Sequence, residues 1–204
     1  MSRMGFDKSF EHSDALFETA VAEFCAEGYQ QASINTILQK AGMSKGQFYY
    51  HFGNKEGLYL ALIEVLIARK VAFMQSIMQP EDFQQDIFGL LKTQIAYGLA
   101  FARENPLINE FGNSFLQEKG TPIYEKAMAI YNFEDSQMLH VMIEQAWNNG
   151  DFREDLPLAF IKKTIGYLFT HVTDLTGLSS TTDAEENLNY LISFMKTGLA
   201  RDPQ

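Results

Sequence analysis

From Ser13 onward, apolar residues recur at helical spacing along nearly the whole chain. Leu16, Phe17, Ala20, Val21, Phe24 and Cys25 fall at i, i+1, i+4 and i+5, which gives a first helix one apolar face. Ser13 is its expected N-cap and Gly28 its terminator. A second, short helix is expected after Ser33, with Ile34, Ile37, Leu38 and Ala41 facing inward. Gly42 supplies a turn and Ser44 caps a third helix, which Phe48 and Phe52, four apart, anchor to the first two. Asn54 caps a long fourth helix through Leu58, Leu62 and Leu66 toward Ile77, broken by Pro80. A fifth helix is predicted from about Glu81 to Glu104, where Asn105-Pro106 disfavours continuation. A sixth covers about Leu107 to Glu118, and a seventh opens at Thr121-Pro122 and runs to about Asn148.

The last two helices carry a different pattern. Leu158, Ile161, Ile165, Leu168, Val172 and Leu175 are spaced 3, 4, 3, 4, 3, and Leu188, Ile192, Met195 and Leu199 are spaced 4, 3, 4. Such spacing is that of a helix–helix seam. Phe160, Tyr167 and Phe169 flank it, making the apolar arc too wide for one neighbour. A homodimer through a four-helix bundle is therefore expected, with Ile161, Ile165, Leu168, Val172, Leu188, Ile192 and Met195 at its interface. The other possibility is a helix central to a monomer's core.

Taken together, the pattern gives an all-α protein of about nine helices. Residues 1–53 are expected to form a three-helix unit and residues 54–204 a larger helical one. The fourth helix passes from one to the other without a linker. Composition agrees: the chain is 46% hydrophobic and 13% aromatic with five prolines, well away from disordered sequences. One cysteine, Cys25, excludes an intramolecular disulfide and a Cys-based metal site. The N-terminal MSRMGFDKSFEHSD is too polar for a signal peptide, and the apolar run Leu58 to Ala68 is too short to cross a bilayer. A cytoplasmic location follows as the expectation.

Net charge changes the picture only once it is resolved along the chain. The total of −10 looks hostile to nucleic acid, yet residues 29–57 carry +2 and residues 61–204 carry −8. Within the basic segment, the third helix crowds Lys45, Gln47, Tyr49, Tyr50 and His51 into seven positions. Base edges and phosphates in a DNA major groove need donors of this kind. With so thin a positive charge, affinity is expected from a few placed contacts and two copies of the module.

The stretch FETAVAEFCAEGYQQASINTILQKAGMSKGQFYYHFGNKEGLYLALIE resembles the N-terminal domain of TetR-family transcriptional regulators, in order and without a gap. Its most recognisable pieces are Phe24 to Tyr29, Ala41-Gly42-Met43-Ser44-Lys45-Gly46, and Tyr49-x-His51-Phe52-x-x-Lys55-Glu56. The resemblance implies that Ser33 and Ser44 cap helices and contact phosphate, and that Lys45 reaches a phosphate or a guanine edge. It implies that Gln47 faces bases, and that Tyr49, His51 and Lys55 hold phosphates. Tyr50 stands where the family commonly has Arg, and its role is left open. The partners implied are a double-stranded DNA operator, a second copy of the chain and a small-molecule effector.

For the effector, Met74, Tyr97, Phe101, Phe115, Met128, Tyr131 and Trp147 are the expected lining among the aromatic and Met residues of the larger domain. An apolar or aromatic ligand suits them. Chemistry finds no support: the four histidines are scattered, and His140 with Glu144 at i, i+4 lacks a third ligand. No Gly-rich phosphate loop, nucleophile elbow or HExxH occurs. The expectation is a regulator, not an enzyme, with no cofactor or metal, most readily a repressor released by its ligand. An activator of the same fold, an all-α small-molecule carrier without DNA binding, and an enzyme around His140 are the alternatives.

Overall fold

The computed structural model describes residues 6, 10–131, 137–172, 175 and 184–201. Ten α-helices lie among the described residues: α1 (Ser13–Gln31), α2 (Ile34–Ala41), α3 (Lys45–Phe52), α4 (Lys55–Ile77), α5 (Ile87–Glu104), α6 (Pro106–Gln117), α7 (Pro122–Tyr131), α8 (Gln137–Asn149), α9 (Leu158–Thr170) and α10 (Ala184–Leu199). The expected seventh helix is thus represented by α7 and α8, with residues 132–136 between them outside the described set. Among the described residues no helix is long and apolar enough to cross a membrane.

Several helix ends follow from local chemistry. Asn54 caps α4 as expected, its Oδ1 accepting the Gly57 N–H at 2.8 Å. Ser13 is not the cap of α1: that position is His12, in the left-handed region at φ 70°, and Ser13 is the first helical residue. The expected start of the fifth helix at Glu81 is displaced. Asp82 Oδ2 accepts the Gln79 N–H at 2.8 Å and holds Pro80–Gln84 as a 3-10 turn. Asp86 Oδ1 then accepts the Gly89 N–H at 2.7 Å, so α5 begins at Ile87. Short acidic side chains compete for backbone donors in this way and decide where a helix can start.

The chain divides into two compact units. The first is Met1–Ser76 with Ala100–Ile130, and the second is Ile77–Leu99 with Tyr131–Gln204. Compact packing therefore does not divide after residue 53, since α4, α6 and α7 group with the first three helices. In the first unit Leu16, Ala20, Val21, Phe24, Ile37, Phe48, Leu58 and Leu62 are buried. Tyr59 of α4 lies edge-on to Phe24, Tyr29 and Phe111, at 4.8, 4.9 and 5.4 Å between ring centroids, and so joins α4 to α1 and α6.

In the first unit, α1 is broken at Gly28 (φ 69°, ψ 169°), a conformation essentially confined to glycine, and resumes for one turn before α2. The expected terminator thus acts as a bend.

In the second unit, Ile87, Phe88, Leu91, Ile143, Ile161, Ile165, Ile192 and Met195 form one buried cluster. Its closing segment is fixed by backbone: Arg153 N–H donates to Leu199 O and Arg201 N–H to Asp151 O, both at 3.0 Å.

Candidate nucleic-acid interface

Two helices separated by a three-residue turn build this surface. Gly42 takes φ 68° and closes α2, while Met43 N–H donates to Leu38 O at 3.0 Å. Ser44 then opens α3 with a reciprocal cap. Its Oγ accepts the Gln47 N–H at 3.3 Å, and Gln47 Oε1 accepts from Ser44 N–H at 3.2 Å and from Ser44 Oγ at 2.9 Å. Phe48 and Phe52 are buried, as their spacing predicts, and Gly53 ends the helix at φ 73°. The opposite face is left open. Lys45 is exposed, and Tyr49 and Tyr50 are 58% and 66% exposed, too much for aromatic rings that only pack.

The other expected contacts are already engaged within the subunit. Ser33 Oγ accepts the Thr36 N–H at 3.3 Å, and Ser33 N–H donates to Glu23 Oε1 at 3.1 Å. Glu23 is buried and also pairs with Lys40 at 3.4 Å, so one carboxylate ties the start and end of α2 to α1. His51 is stacked on Phe10 at 4.2 Å between ring centroids. Lys55 Nζ donates to Gln30 O at 2.9 Å and Ala32 O at 3.1 Å, and lies 5.1 Å from the centre of the Tyr29 ring. Of the three lysines in the basic segment, Lys40 and Lys55 are thus turned to the protein. Lys45 makes no ion pair or hydrogen bond among the described residues.

These contacts reassign work between residues. With its amide oxygen held by Ser44, Gln47 presents only its NH2 donors, and a two-point pairing with adenine requires that the cap open. Lys55 secures the last turn of α1, because an ammonium satisfies carbonyls that a helix end leaves unpaired. Replacing Lys55 with Met keeps the aliphatic stem and removes both bonds. We expect a stability loss of about 1.5–3 kcal/mol, typical of hydrogen bonds to a charged group, alongside weaker DNA binding. Thermal unfolding and DNA titration of the same preparation test this. A fall in affinity at unchanged melting temperature would leave Lys55 as a phosphate contact alone.

Sequence reading missed Phe6, Phe10, Glu23, Tyr29 and Glu118. Phe6 lies 5.1 Å from the Phe52 ring and Phe10 covers His51, so the N-terminal aromatics brace the end of α3. Their spacing of four in a polar stretch was the available signal.

The remaining expected site residues fall as follows. Met74, Phe101, Phe115 and Met128 belong to the first unit, where Phe101 packs on Phe73 at 5.4 Å and Phe115 stacks on Tyr124 at 5.0 Å. Tyr97, Tyr131 and Trp147 belong to the second, where Tyr97 donates its hydroxyl to Asp82 at 2.9 Å. Ile161, Ile165, Leu188, Ile192 and Met195 are buried within their own subunit, and Leu168 and Val172 are half-buried. The large residues beside that stripe are the exposed ones: Phe160 and Tyr167 on α9, Tyr190 and Phe194 on α10. Glu144, considered with His140 as a ligand pair, is instead bonded to Lys162, whose ammonium holds the carboxyl below its usual range. Burial, and then the Glu110 carboxylate, push the Cys25 thiol up to about 11, which keeps it protonated and unreactive at neutral pH.

Residues 16–62, which hold α1 to α3 and the start of α4, match the family described as bacterial regulatory proteins, tetR family. These residues carry a TetR-family DNA-binding domain. The chain is a TetR-family DNA-binding transcriptional regulator, as the motif implied, and proteins of this family are regulators rather than enzymes. It is similar to the HTH-type transcriptional repressor AcnR of Corynebacterium glutamicum, 23% identical over 78% of each chain. A TetR family transcriptional regulator from Chloroflexus aurantiacus has the same fold, with a TM-score of 0.67, 22% identity and 96% of each chain covered. The SmeT–triclosan complex shares it too, with a TM-score of 0.71 and 16% identity over 94% of this chain and 92% of that one.

Proposed function

We propose that this TetR-family regulator is a homodimeric repressor that binds a near-palindromic operator and leaves it when a small apolar or aromatic molecule binds. The open face of α3 carries this reading: Lys45, Tyr49 and Tyr50 project from a helix capped at one end and anchored by two buried phenylalanines. Lys45 and Tyr49 hold phosphates, with Ser33, Ser44 and His51 in support, and Lys55 adds its remaining donor. Tyr50, rather than a capped Gln47, would meet bases in this reading, its ring against a thymine methyl and its hydroxyl against an acceptor. Two such helices about 34–36 Å apart would enter successive major grooves.

Residues 1–53 serve DNA binding and residues 54–204 the ligand and the partner subunit, in the cytoplasm where the operator is. The repressor sign is supported by the likeness to AcnR, a transcriptional repressor, and a small aromatic effector by the likeness to the SmeT–triclosan complex. Met74, Phe101, Phe115 and Met128 in the first unit and Tyr97, Tyr131 and Trp147 in the second are the candidate effector residues. Met74 lies on α4, which runs unbroken from Lys55 to Ile77 and starts beside the recognition helix.

A duplex enriched from a random pool by the full chain supplies the probe for a direct test. Substituting Lys45 and Tyr49 together by Ala is expected to weaken its binding about a hundredfold, since two contacts each worth about 1.4 kcal/mol are lost. The salt dependence should flatten by about one phosphate. Tyr50→Ala should change which duplex is enriched. Unaltered affinity in the double variant would remove α3 from the interface.

A further inference from the structure

We infer that α6 is a splint across the break in α1, and that Glu118 is the positioning residue through which it holds the DNA-binding helices; this deepens the regulator reading and rests on it. The break at Gly28 divides α1 into a long arm and a single turn, Tyr29–Gln31, which leads within two residues to the start of α2 at Ile34. The direction of that turn therefore sets where α2 begins, and α3 follows α2 through a fixed glycine turn.

Two side chains of one face of α6 grip the α1 backbone on either side of the break. Ser114 Oγ donates to Phe24 O at 3.3 Å, before Gly28. Glu118, four residues on and just past the end of α6, accepts the Tyr29 N–H on Oε1 at 2.7 Å, after it. The second contact is charge-assisted and short, hence the stronger of the two. It also has little slack, because a Cβ at Gly28 would stand 3.2 Å from the same oxygen.

The far side of the turn is held by Lys55, bonded to Gln30 O and Ala32 O and placed over the Tyr29 ring. The turn is thus clasped between a carboxylate from α6 and an ammonium from α4. A displacement of the α6 end by about 1 Å carries a 2.7 Å contact beyond hydrogen-bond range. An effector that moves α6 in this way releases the turn and, with it, the setting of α2 and α3.

Glu118→Ala and Glu118→Gln separate this role from plain stability, since an amide oxygen still accepts the Tyr29 N–H. Glu118→Ala is expected to speed hydrogen exchange at the Tyr29 amide and weaken binding to the enriched duplex, each about tenfold, the size of one lost bond. The thermal midpoint falls by no more than roughly 3–6 °C, the share of that one bond in a protein of this size. Glu118→Gln restores most of both. Wild-type affinity in Glu118→Ala, equal losses in the two variants, or a loss that follows the thermal midpoint would each overturn the splint. If the wild-type chain enriches no duplex, the regulator reading fails by itself. The splint then stands only if Glu118→Ala speeds exchange at Tyr29 and through α2 above the global rate, and falls if it does not.

Discussion

Replacing Phe194 with Asp is expected to dissociate the protein into single subunits. Phe194 is 69% exposed and Tyr190, one turn earlier on α10, is 62% exposed, with Phe160 and Tyr167 exposed on α9. Four large aromatic side chains left in water on α9 and α10 of one unit are the residues proposed to meet the partner copy. In a two-fold dimer every residue of the interface occurs twice. Burying a Phe contributes about 1.5–3 kcal/mol, so the substitution removes roughly 3–6 kcal/mol of association, or two to four powers of ten in Kd. The introduced carboxylates add repulsion. Sedimentation at micromolar concentration measures the change, and operator affinity should fall with it, because one copy of a module with so little positive charge binds poorly. Ile192→Asp makes the contrast: Ile192 is 6% exposed in its own subunit's core, so that change should unfold the second unit rather than separate two folded ones. A dimeric F194D protein would move the subunit interface elsewhere.

That contrast shows how far helical spacing can be read. Within the 3-4 repeats of Leu158 to Leu175 and Leu188 to Leu199, Ile161, Ile165, Ile192, Met195 and Leu199 enter the core of their own chain, with Leu158 and Leu168 packed against it, while Leu175 is left exposed. Periodicity reports which residues share a face. It does not say whether the face meets a neighbour in the same chain or in another copy. Of the aromatics noted as making the stripe too wide, Phe169 packs against the core, while Phe160 and Tyr167 are left over once that core is filled.

The helices and their caps were legible because each is set within a few residues: Ser33 and Ser44 ahead of short apolar repeats, Gly42 between them, Asn54 before α4. Contacts made over long separations were not. Lys55 lies 25 and 23 residues from the carbonyls it binds, and Glu118 lies 89 residues from Tyr29. No local pattern announces such pairs, and a lysine beside a DNA-binding helix is more naturally read as a phosphate ligand. Gln47 shows a subtler limit. Serine followed three residues later by glutamine is the signature of a reciprocal cap, yet the same glutamine stands where a base reader is expected. Both readings fit the sequence, and only the position of its amide oxygen shows which one the unbound protein adopts.

Gly28→Ala is expected to damage the DNA-binding unit through a single added methyl group. At φ 69° and ψ 169° the backbone occupies a region essentially closed to residues with a Cβ, at a cost of about 1–3 kcal/mol. The new Cβ would also press on Glu118 Oε1 at 3.2 Å, the atom that accepts the Tyr29 N–H. Relief requires either that α1 straighten, which redirects the turn into α2, or that Glu118 withdraw, which frees Tyr29. Both act on the start of the DNA-binding helices and leave the cluster around Ile161 and Ile192 untouched. A midpoint lower by roughly 2–12 °C is expected for a protein of this size. Amide exchange should rise through the last turn of α1 and α2, while α9 and α10 keep their protection. Operator binding should fall further than in Glu118→Ala, because the alanine strains the backbone as well as removing its partner. A Gly28→Ala protein with wild-type melting, exchange and DNA affinity would show that the bend is a convenience of packing and not what sets α2.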